Sequence, residues 1–174
     1  MAEKSLRNIL ALVSDVDGVM TSGEIYVGVA GETKIFSVRD GLGIKLLQKA
    51  GLEFALLSGR ASEPVRQRAV ELGIRSVKTG RLDKQRALLE ISQELAIPCE
   101  QMAYIGDDLP DLAPLAMVGM GFCPANAVAE VCAAADHVVP IPGGKGVVRY
   151  VVEQILKAQN RWEDCVREFE VRND

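Results

Sequence analysis

The chain of 174 residues contains few of the residue types on which common functional sites depend. It has one histidine and four cysteines, and aromatic residues make up only 5% of it. Cys99, Cys123, Cys132 and Cys165 are irregularly spaced and form no C-x-x-C pair. This spacing argues against a zinc site and against a disulfide framework, so free thiols are expected.

The sequence also lacks an excess of positive charge and a long apolar run. The net charge is -4, so no basic face for nucleic acid is expected. The first apolar stretch leads directly into acidic residues, so neither a signal peptide nor a membrane span is predicted. With 48% hydrophobic and 25% charged residues, the composition predicts one cytoplasmic globular domain, residues 1–174.

Short apolar runs alternate with segments of helical periodicity. The runs "NILALVS", "LEFALLS", "SVKTG", "MAYIG" and "VGMGFCP" have strand length, and helices are predicted in "GLGIKLLQKAG", "SEPVRQRAVELG" and "DKQRALLEISQELAIP". Strands buried on both faces and joined by helices indicate a parallel sheet. The predicted fold is therefore a three-layer α/β/α sandwich of the Rossmann-like kind.

One segment interrupts this alternation. Residues 23–38 read as a β-hairpin around "GVAGE" and carry apolar side chains that an isolated pair of strands cannot bury. A second copy of the chain could cover them, or the hairpin could fold back on its own domain. Residues 146–174 are predicted to form a C-terminal helix and tail.

Polar and charged residues follow several of the predicted strands. Because the carboxyl ends of parallel strands meet at one edge, these residues should lie together, and crowded carboxylates there would repel one another without a cation. Mg²⁺ prefers such oxygen ligands, while a hydroxyl, backbone N–H groups and a lysine would hold a phosphate. The metal candidates are Asp15, Asp17 and Asp107, and the phosphate candidates are Ser58, Gly59 and Lys84.

Four motifs in this order carry a resemblance to a known family. "DVDGVMT", "LLSGR", "LDKQRALLE" and "GDDLPD" resemble the motifs of the haloacid dehalogenase superfamily of phosphohydrolases. "GEIYVGVAGETKIFSVRDGLGIKLL" and "GGKGVVRYVVEQIL" resemble its capless branch of 3-deoxy-D-manno-octulosonate 8-phosphate phosphatases, which act in lipopolysaccharide synthesis. The resemblance runs from about Leu10 to Ala158.

The resemblance implies a role for each of these residues. Asp15 would be the nucleophile that forms an aspartyl-phosphate, and Asp17 would be the general acid and base. A carboxylate oxygen of Asp15, the main-chain carbonyl of Asp17 and the side chain of Asp107 would hold magnesium. Asp108 and Asp111 would have supporting roles, although Asp108 could equally be a helix N-cap.

The resemblance also implies a homotetramer with active sites at subunit interfaces, since no insertion provides a lid. The hairpins would meet at its centre, and the segment "PGGKGVVRY" of a neighbouring chain would partly close each site. The sugar acid's carboxylate would require basic residues. The substrate-binding candidates are Arg39, Asp40, Gly41, Lys45, Arg60 and Arg68.

Several alternatives remain open on the sequence. A phosphatase of a neuraminate-type nine-carbon sugar acid 9-phosphate would carry the same motifs. A non-catalytic oligomerisation domain related to sugar-nucleotide synthetases has no reason to retain Asp15, Asp17 and Lys84 together. A phosphorylation-dependent receiver would have its phosphoacceptor on a later strand. His137 is expected to be structural, because Asp17 already supplies the general base.

Overall fold

A computed structural model describes residues 5–29 and 31–170, and its centre is a six-stranded parallel sheet. The strands of the chain are β1 (Ala11–Ser14), β2 (Tyr26–Gly28), β3 (Gly31–Thr33), β4 (Glu53–Leu57), β5 (Ser76–Lys78), β6 (Met102–Ile105), β7 (Met120–Cys123) and β8 (His137–Val138). In the sheet their order is β5-β4-β1-β6-β7-β8, so β1 lies between β4 and β6. This order brings the ends of three motif-bearing strands side by side.

The described residues form seven α-helices, of which the last two follow the final strand. They are α1 (Val38–Lys49), α2 (Glu63–Leu72), α3 (Lys84–Leu95), α4 (Leu112–Met117), α5 (Ala129–Ala134), α6 (Val147–Ala158) and α7 (Trp162–Arg167). Short 3-10 turns occupy Leu6–Asn8, Cys99–Gln101 and Leu109–Asp111. Among the described residues, no helix has both the length and the apolar character that crossing a membrane requires.

The sheet is covered on both faces, which confirms the predicted three-layer α/β sandwich. Successive residues of a strand point to opposite faces, so Leu12 packs with the layer of α1, α2 and α6, whereas Ala11 and Val13 pack with α3, α4 and α5. All four residues of β1 are buried for this reason. The central strand is therefore rigidly held just before the first acidic motif.

The ends of α2 and α3 have the residue types that are typical of helix caps. Gly73 closes α2 in the left-handed conformation with φ +67, a position that favours glycine. Asp83 caps α3 by accepting a hydrogen bond from the Arg86 N–H at 2.9 Å. Ser62 stands at the N-cap of α2, but its hydroxyl makes no capping hydrogen bond.

The interruption after β1 is an antiparallel hairpin. β2 and β3 pair Tyr26 with Thr33 and Val27 with Glu32, and each strand is three residues long, shorter than the predicted span of 23–38. All of β2 is exposed. The hairpin therefore leaves apolar surface uncovered within one chain.

The last two helices, α6 and α7, end the described part of the chain, and α6 lies against α1. α6 packs on α1 and presents six buried residues to the core. The tail predicted to be an amphipathic helix contains α7, which buries Cys165; residues 171–174 lie outside the described part of the chain. Just before α6, the Gly144 N–H donates to the Val19 carbonyl at 2.8 Å, so the "PGGKG" segment packs on its own chain's loop after β1.

Candidate active site

The residues that follow β1, β4 and β6 converge on one cavity of about 380 Å³ at the carboxyl edge of the sheet. Asp15 and Asp17 follow β1, Ser58 follows β4 and Asp107 follows β6, while Lys84 is the first residue of α3. The cavity is lined by Asp15, Asp17, Gly18, Gly23, Ser58, Gly59, Arg60, Leu82, Lys84, Asp107, Asp108 and Pro110.

Asp15 is buried and held at both carboxylate oxygens. The Val16 N–H donates to Oδ1 at 2.6 Å, and the Lys84 ammonium lies 2.9 Å from Oδ2. Burial, together with the negative charge of Asp111, raises the pKa of Asp15 to about 7, although Lys84 acts in the opposite direction. A carboxylate with this little hydration is fixed in orientation and needs positive charge beside it.

Asp111 is a buried carboxylate that contacts Lys84, the partner of Asp15. Its side chain is fully buried, and its Oδ1 accepts hydrogen bonds from Lys84 at 2.6 Å and from the Tyr104 hydroxyl at 2.5 Å. Its Oδ2 accepts the N–H groups of Asp107 at 3.1 Å and Asp108 at 3.2 Å. With four donors, Asp111 orients Lys84 and the backbone turn that carries Asp107.

The lysine and the tyrosine respond differently to this environment. Burial opposes the charge of Lys84, but the Asp15 and Asp111 carboxylates outweigh it and raise the pKa of Lys84. Burial, reinforced by Asp111, raises the pKa of Tyr104 well above its usual value, so Tyr104 is a neutral donor. Lys84 is therefore the one cation among these groups.

Asp107 has the features of an unsatisfied ligand. Its Oδ1 is buried without a hydrogen-bond partner among the described residues. Burial first, and the charge of Asp111 second, raise the pKa of Asp107 to about 7. Gly18 has φ +84, and a Cβ there would lie 2.0 Å from Asp107 Oδ2, so only glycine lets the loop after β1 approach so closely.

These carboxylates fit a divalent cation. One oxygen each of Asp15, Asp107 and Asp111 lie within 4.8 Å of one another. Asp111 already accepts four hydrogen bonds, so the oxygens of Asp15 and Asp107 are the ones available to a metal. Burial, with the charge of Asp111, raises the pKa of each, and an ion with a preference for oxygen ligands would supply positive charge that stabilises both carboxylates. The Asp17 carboxylate does not belong to this cluster of three. This agrees with the expected metal site, in which Asp17 contributes its main-chain carbonyl and not its side chain.

The opposite wall of the cavity carries the hydroxyl and the arginine. The Arg60 N–H donates to Ser58 Oγ at 3.2 Å, so the loop after β4 turns around the serine. A Cβ at Gly59 would meet nothing within 4 Å, which leaves the loop backbone open toward the cavity. The Arg60 guanidinium is half-exposed at the rim, with Nε 4.0 Å from Asp17 Oδ2.

Comparison with known proteins identifies the family. A model of haloacid dehalogenase-like hydrolases matches residues 76–151. The 3-deoxy-D-manno-octulosonate 8-phosphate phosphatase KdsC of Haemophilus influenzae is 42% identical over 160 residues, which are 91% of this chain and 89% of that protein. This chain belongs to that phosphatase family.

Solved structures of octulosonate phosphatases have the same fold. The enzyme from Moraxella catarrhalis, solved in complex with a magnesium ion, a phosphate ion and KDO, superposes with a TM-score of 0.92 at 40% identity and covers 95% of each chain. The cobalt-bound Haemophilus influenzae phosphatase gives a TM-score of 0.91 at 42% identity, covering 94% of this chain and 98% of that one.

Asp108 lines the cavity but has a local role. Its Oδ1 accepts the Leu109 N–H at 2.8 Å, and with Asp111 it forms a capping box at the 3-10 turn. Asp108 is therefore a helix N-cap in the structure, and of the two supporting aspartates it is Asp111 that contacts Lys84.

Most of the predicted sugar-binding residues lie outside the cavity of a single chain. Arg39 lines a separate cavity of about 370 Å³ with Lys145 and Arg149. Asp40 is buried, and its Oδ1 accepts the Arg149 N–H at 2.7 Å at the start of α6, which gives it a structural role.

The other three lie on α1 and α2 and do not line the cavity. Gly41 packs against Arg68, since a Cβ at Gly41 would lie 2.3 Å from Arg68 Nη2. Arg68 is paired with Glu71 at 2.7 Å, and Lys45 is exposed near Gly73. Of the six candidates only Arg60 reaches the cavity of its own chain, so a sugar-binding role for the other five stays a prediction that requires a neighbouring chain.

Three residues at or next to this site were not predicted from the sequence. Tyr104 lies in an apolar strand and donates its hydroxyl hydrogen to Asp111. The available signal was that a buried tyrosine hydroxyl needs a hydrogen-bond partner. Lys34 and Glu32 lie at the end of the hairpin, and Lys34 donates a hydrogen bond to Asp17 Oδ1. The alternation of charges in "GETK" was a weak signal, because it is equally typical of an exposed strand.

Proposed function

We propose that this protein is a magnesium-dependent phosphatase that releases phosphate from 3-deoxy-D-manno-octulosonate 8-phosphate through an aspartyl-phosphate intermediate. The observation that carries the proposal is the pairing of the buried Asp15 carboxylate with Lys84 in a cavity that Asp17, Ser58 and Asp107 also line. The substrate is the one named for the related phosphatases, and the magnesium, phosphate and KDO bound to the Moraxella enzyme support it.

In the first half of the reaction, Asp15 is the nucleophile. One of its carboxylate oxygens attacks phosphorus in line, a new O–P bond forms, and the bond from phosphorus to the sugar oxygen breaks. Asp17 gives its proton to that oxygen, so the sugar leaves as an alcohol and Asp17 becomes a carboxylate. Asp15 and Asp17 are two residues apart, which places both side chains on one side of the extended chain.

In the second half, Asp17 takes a proton from water as the water oxygen attacks the aspartyl-phosphate. The bond between phosphorus and Asp15 breaks, inorganic phosphate leaves, and both aspartates return to their starting states. For these two displacements the protein mainly has to orient the reacting groups and neutralise the negative charge around phosphorus.

Lys84, Ser58 and Gly59 are the proposed phosphate-binding residues. Lys84 is buried and held by Asp111, so its ammonium presents a fixed positive charge beside the attacking oxygen. The Ser58 hydroxyl and the open backbone at Gly59 offer hydrogen bonds to phosphate oxygens. Asp111 acts through Lys84 and does not touch the phosphate.

Asp15 and Asp107, with the Asp17 carbonyl, are the proposed magnesium ligands. When bound, magnesium would neutralise the carboxylates and the charge that develops on the transferred phosphoryl group. The buried Asp107 oxygen without a hydrogen-bond partner supports this assignment.

Arg60 is the proposed contact for the sugar acid. It lies at the rim of the cavity, beside the phosphate loop, and its guanidinium is half-exposed. A guanidinium binds a carboxylate with two parallel hydrogen bonds. A substrate whose phosphate sits at Ser58 would extend toward this rim.

A homotetramer built through the hairpin is proposed as the assembled form. The hairpin exposes Val27, which is 81% exposed, and other large apolar side chains that a partner would cover. Val27→Glu is expected to give smaller particles in analytical ultracentrifugation, whereas Val70→Glu, at a valine of the same exposure on α2, should leave their size unchanged. Equal sizes for Val27→Glu and the parent protein would refute assembly through the hairpin. The exposed apolar residues of the hairpin region are Ile25, Tyr26, Val27, Val29 and Ile35.

The expected cytoplasmic location also stays a proposal. All four cysteines are free thiols, and this supports a reducing compartment.

The substrate assignment is tested by comparing kcat/KM for octulosonate 8-phosphate, neuraminate 9-phosphate and an aryl phosphate, each with magnesium. A preference of about 100-fold for the first, equivalent to about 2.7 kcal/mol of transition-state discrimination, is the expected result. Comparable values would contradict the substrate assignment, and a preference for the nine-carbon acid would favour the alternative enzyme. No phosphate release from any of the three would favour a non-catalytic domain.

A further inference from the structure

Lys34 is a buried cation next to the active-site cavity. It follows β3 directly, and its side chain has no solvent exposure. Its ammonium donates a hydrogen bond to Asp17 Oδ1 and lies 3.2 Å from Glu32 Oε1. The hairpin thus reaches back to the carboxylate that the proposed reaction uses as acid and base.

Burying an ammonium is costly unless carboxylates compensate for the lost water, and here two of them do. Arg60 joins the same group, with Nη2 3.3 Å from Glu32 Oε1 and Nε 4.0 Å from Asp17 Oδ2. The four charges come from three segments: the hairpin, the loop after β1 and the loop after β4. These four side chains have few alternative arrangements, because moving one of them leaves an oppositely charged side chain without its ion pair.

Asp17 needs an external support of this kind. The Asp15 carboxylate is held by the adjacent Val16 N–H and by Lys84. Asp17 lies beyond the end of β1, and the chain turns away at Gly18 with φ +84. Among the described residues, Lys34 is the side chain that donates a hydrogen bond to the Asp17 carboxylate.

Lys34 does not reach the reacting atoms itself. The described residues that line the cavity include Asp17 and Arg60 but not Lys34. Its effect on the chemistry must therefore pass through Asp17. With Oδ1 engaged by Lys34, Oδ2 is the oxygen left for proton transfer.

We propose that Lys34 is a positioning residue that holds the Asp17 carboxylate in the orientation required to protonate the leaving sugar oxygen. This inference rests on the proposed function, in which Asp17 is the general acid. Lys34 adds no bond-forming step, and the proton still passes from Asp17 to the ester oxygen.

The test compares two leaving groups. The sugar oxygen of octulosonate 8-phosphate needs a proton to leave, whereas para-nitrophenolate leaves without one. Because kcat/KM reports on steps up to the first irreversible one, here transfer of the phosphoryl group to Asp15, it isolates the step in which Asp17 acts as acid. Lys34→Met is expected to lower kcat/KM about 10- to 100-fold for the sugar phosphate, a part of the usual contribution of a general acid, and less than about 3-fold for the aryl phosphate.

Two further variants complete the comparison. Lys34→Arg retains the charge and should recover much of the sugar-phosphate activity. Lys49→Met removes an exposed lysine at the end of α1 that is paired with Glu168 and does not line the cavity, and it should change neither value. If Lys34→Met does not fold, judged by circular dichroism, Glu32→Gln, which removes the charge of the second carboxylate beside Lys34, carries the test through the ratio of the two kcat/KM values.

Four results would overturn the positioning role. They are an equal loss on both substrates, no loss on either, a ratio in Glu32→Gln identical to that of the parent where Lys34→Met does not fold, and an effect confined to KM for the sugar acid. The last would make Lys34 a substrate-binding residue. Failure of the parent protein to release phosphate from either compound would instead refute the proposed function, so the two failures are distinguishable.

Discussion

The junction between α1 and α6 yields a prediction about stability and pH. Asp40 lies in the first turn of α1 with 1% of its surface exposed, and its Oδ1 accepts the Arg149 N–H. Its Oδ2 is buried without a hydrogen-bond partner among the described residues. Burial raises the pKa of Asp40 from 3.8 to about 6, and the hydrogen bond from Arg149 offsets only part of the effect. The folded protein therefore holds a proton on Asp40 at pH values where the unfolded chain has lost it.

The sign of the pH dependence follows from this difference. The protein is most stable with respect to Asp40 below its ordinary pKa, and this stability is lost as the pH rises through the folded pKa of about 6. A shift of about two pKa units corresponds to about 3 kcal/mol in all, and the part lost from about pH 5 to about pH 8 is about 1.4 kcal/mol. Asp40→Asn removes this titration while it keeps an oxygen for the Arg149 N–H.

The assay is urea denaturation of the parent and Asp40→Asn at one protein concentration across that pH range. Titrations shared by the two proteins cancel in the difference between their free energies of unfolding. The variant should gain about 1.4 kcal/mol relative to the parent as the pH rises. The control is Asp83→Asn, which removes the exposed N-cap carboxylate of α3 and so has no comparable burial cost to relieve. A difference that is independent of pH, or that moves in favour of the parent, would refute the reasoning.

Three further predictions concern the cavity. Asp15→Asn should reduce phosphate release to background with an unchanged circular dichroism spectrum, because the nucleophile is lost; activity equal to that of the parent would remove Asp15 from the mechanism. Gly18→Ala should lower kcat at least about 10-fold in steady-state assays, since its Cβ would collide with Asp107 and its backbone would be strained by about 1 kcal/mol or more; an unchanged kcat would show that the loop and Asp107 move apart at no cost. An excess of chelator should abolish phosphate release, and added Mg²⁺ should restore it; full activity without divalent ions would exclude the metal role of Asp107.

The layers of the fold and the location of the cavity were predictable from the sequence for a physical reason. Strand length, helical periodicity and chain order are local properties, and they imply that parallel strands end at one edge. Once β1, β4 and β6 are neighbours, Asp15, Ser58 and Asp107 must approach one another. Lys84 also lies where its position at the start of α3 predicted.

The residues that the sequence did not reveal depend on contacts between distant segments. Asp40 is a substrate-binding candidate on the sequence, but its carboxylate accepts a hydrogen bond from the start of α6, more than one hundred positions along the chain. Lys34 has only a weak signal in the sequence, because its burial depends on how the hairpin folds back toward Asp17. Neither contact follows from periodicity, since a side chain at the end of an exposed hairpin has no local signal for its partner.

The hairpin links the two proposals made for this protein. Its strand β2 exposes the apolar side chains proposed to meet other copies, and the residue after β3 holds Asp17. A two-stranded ribbon is marginally stable alone, so its own contacts do not suffice to fix Lys34. The ion pairs of Lys34 with Asp17 and Glu32 stabilise it from one side, and an assembly that covers Val27 would stabilise it from the other. In a fold without a lid, the element that brings subunits together would then also order the general acid of each site.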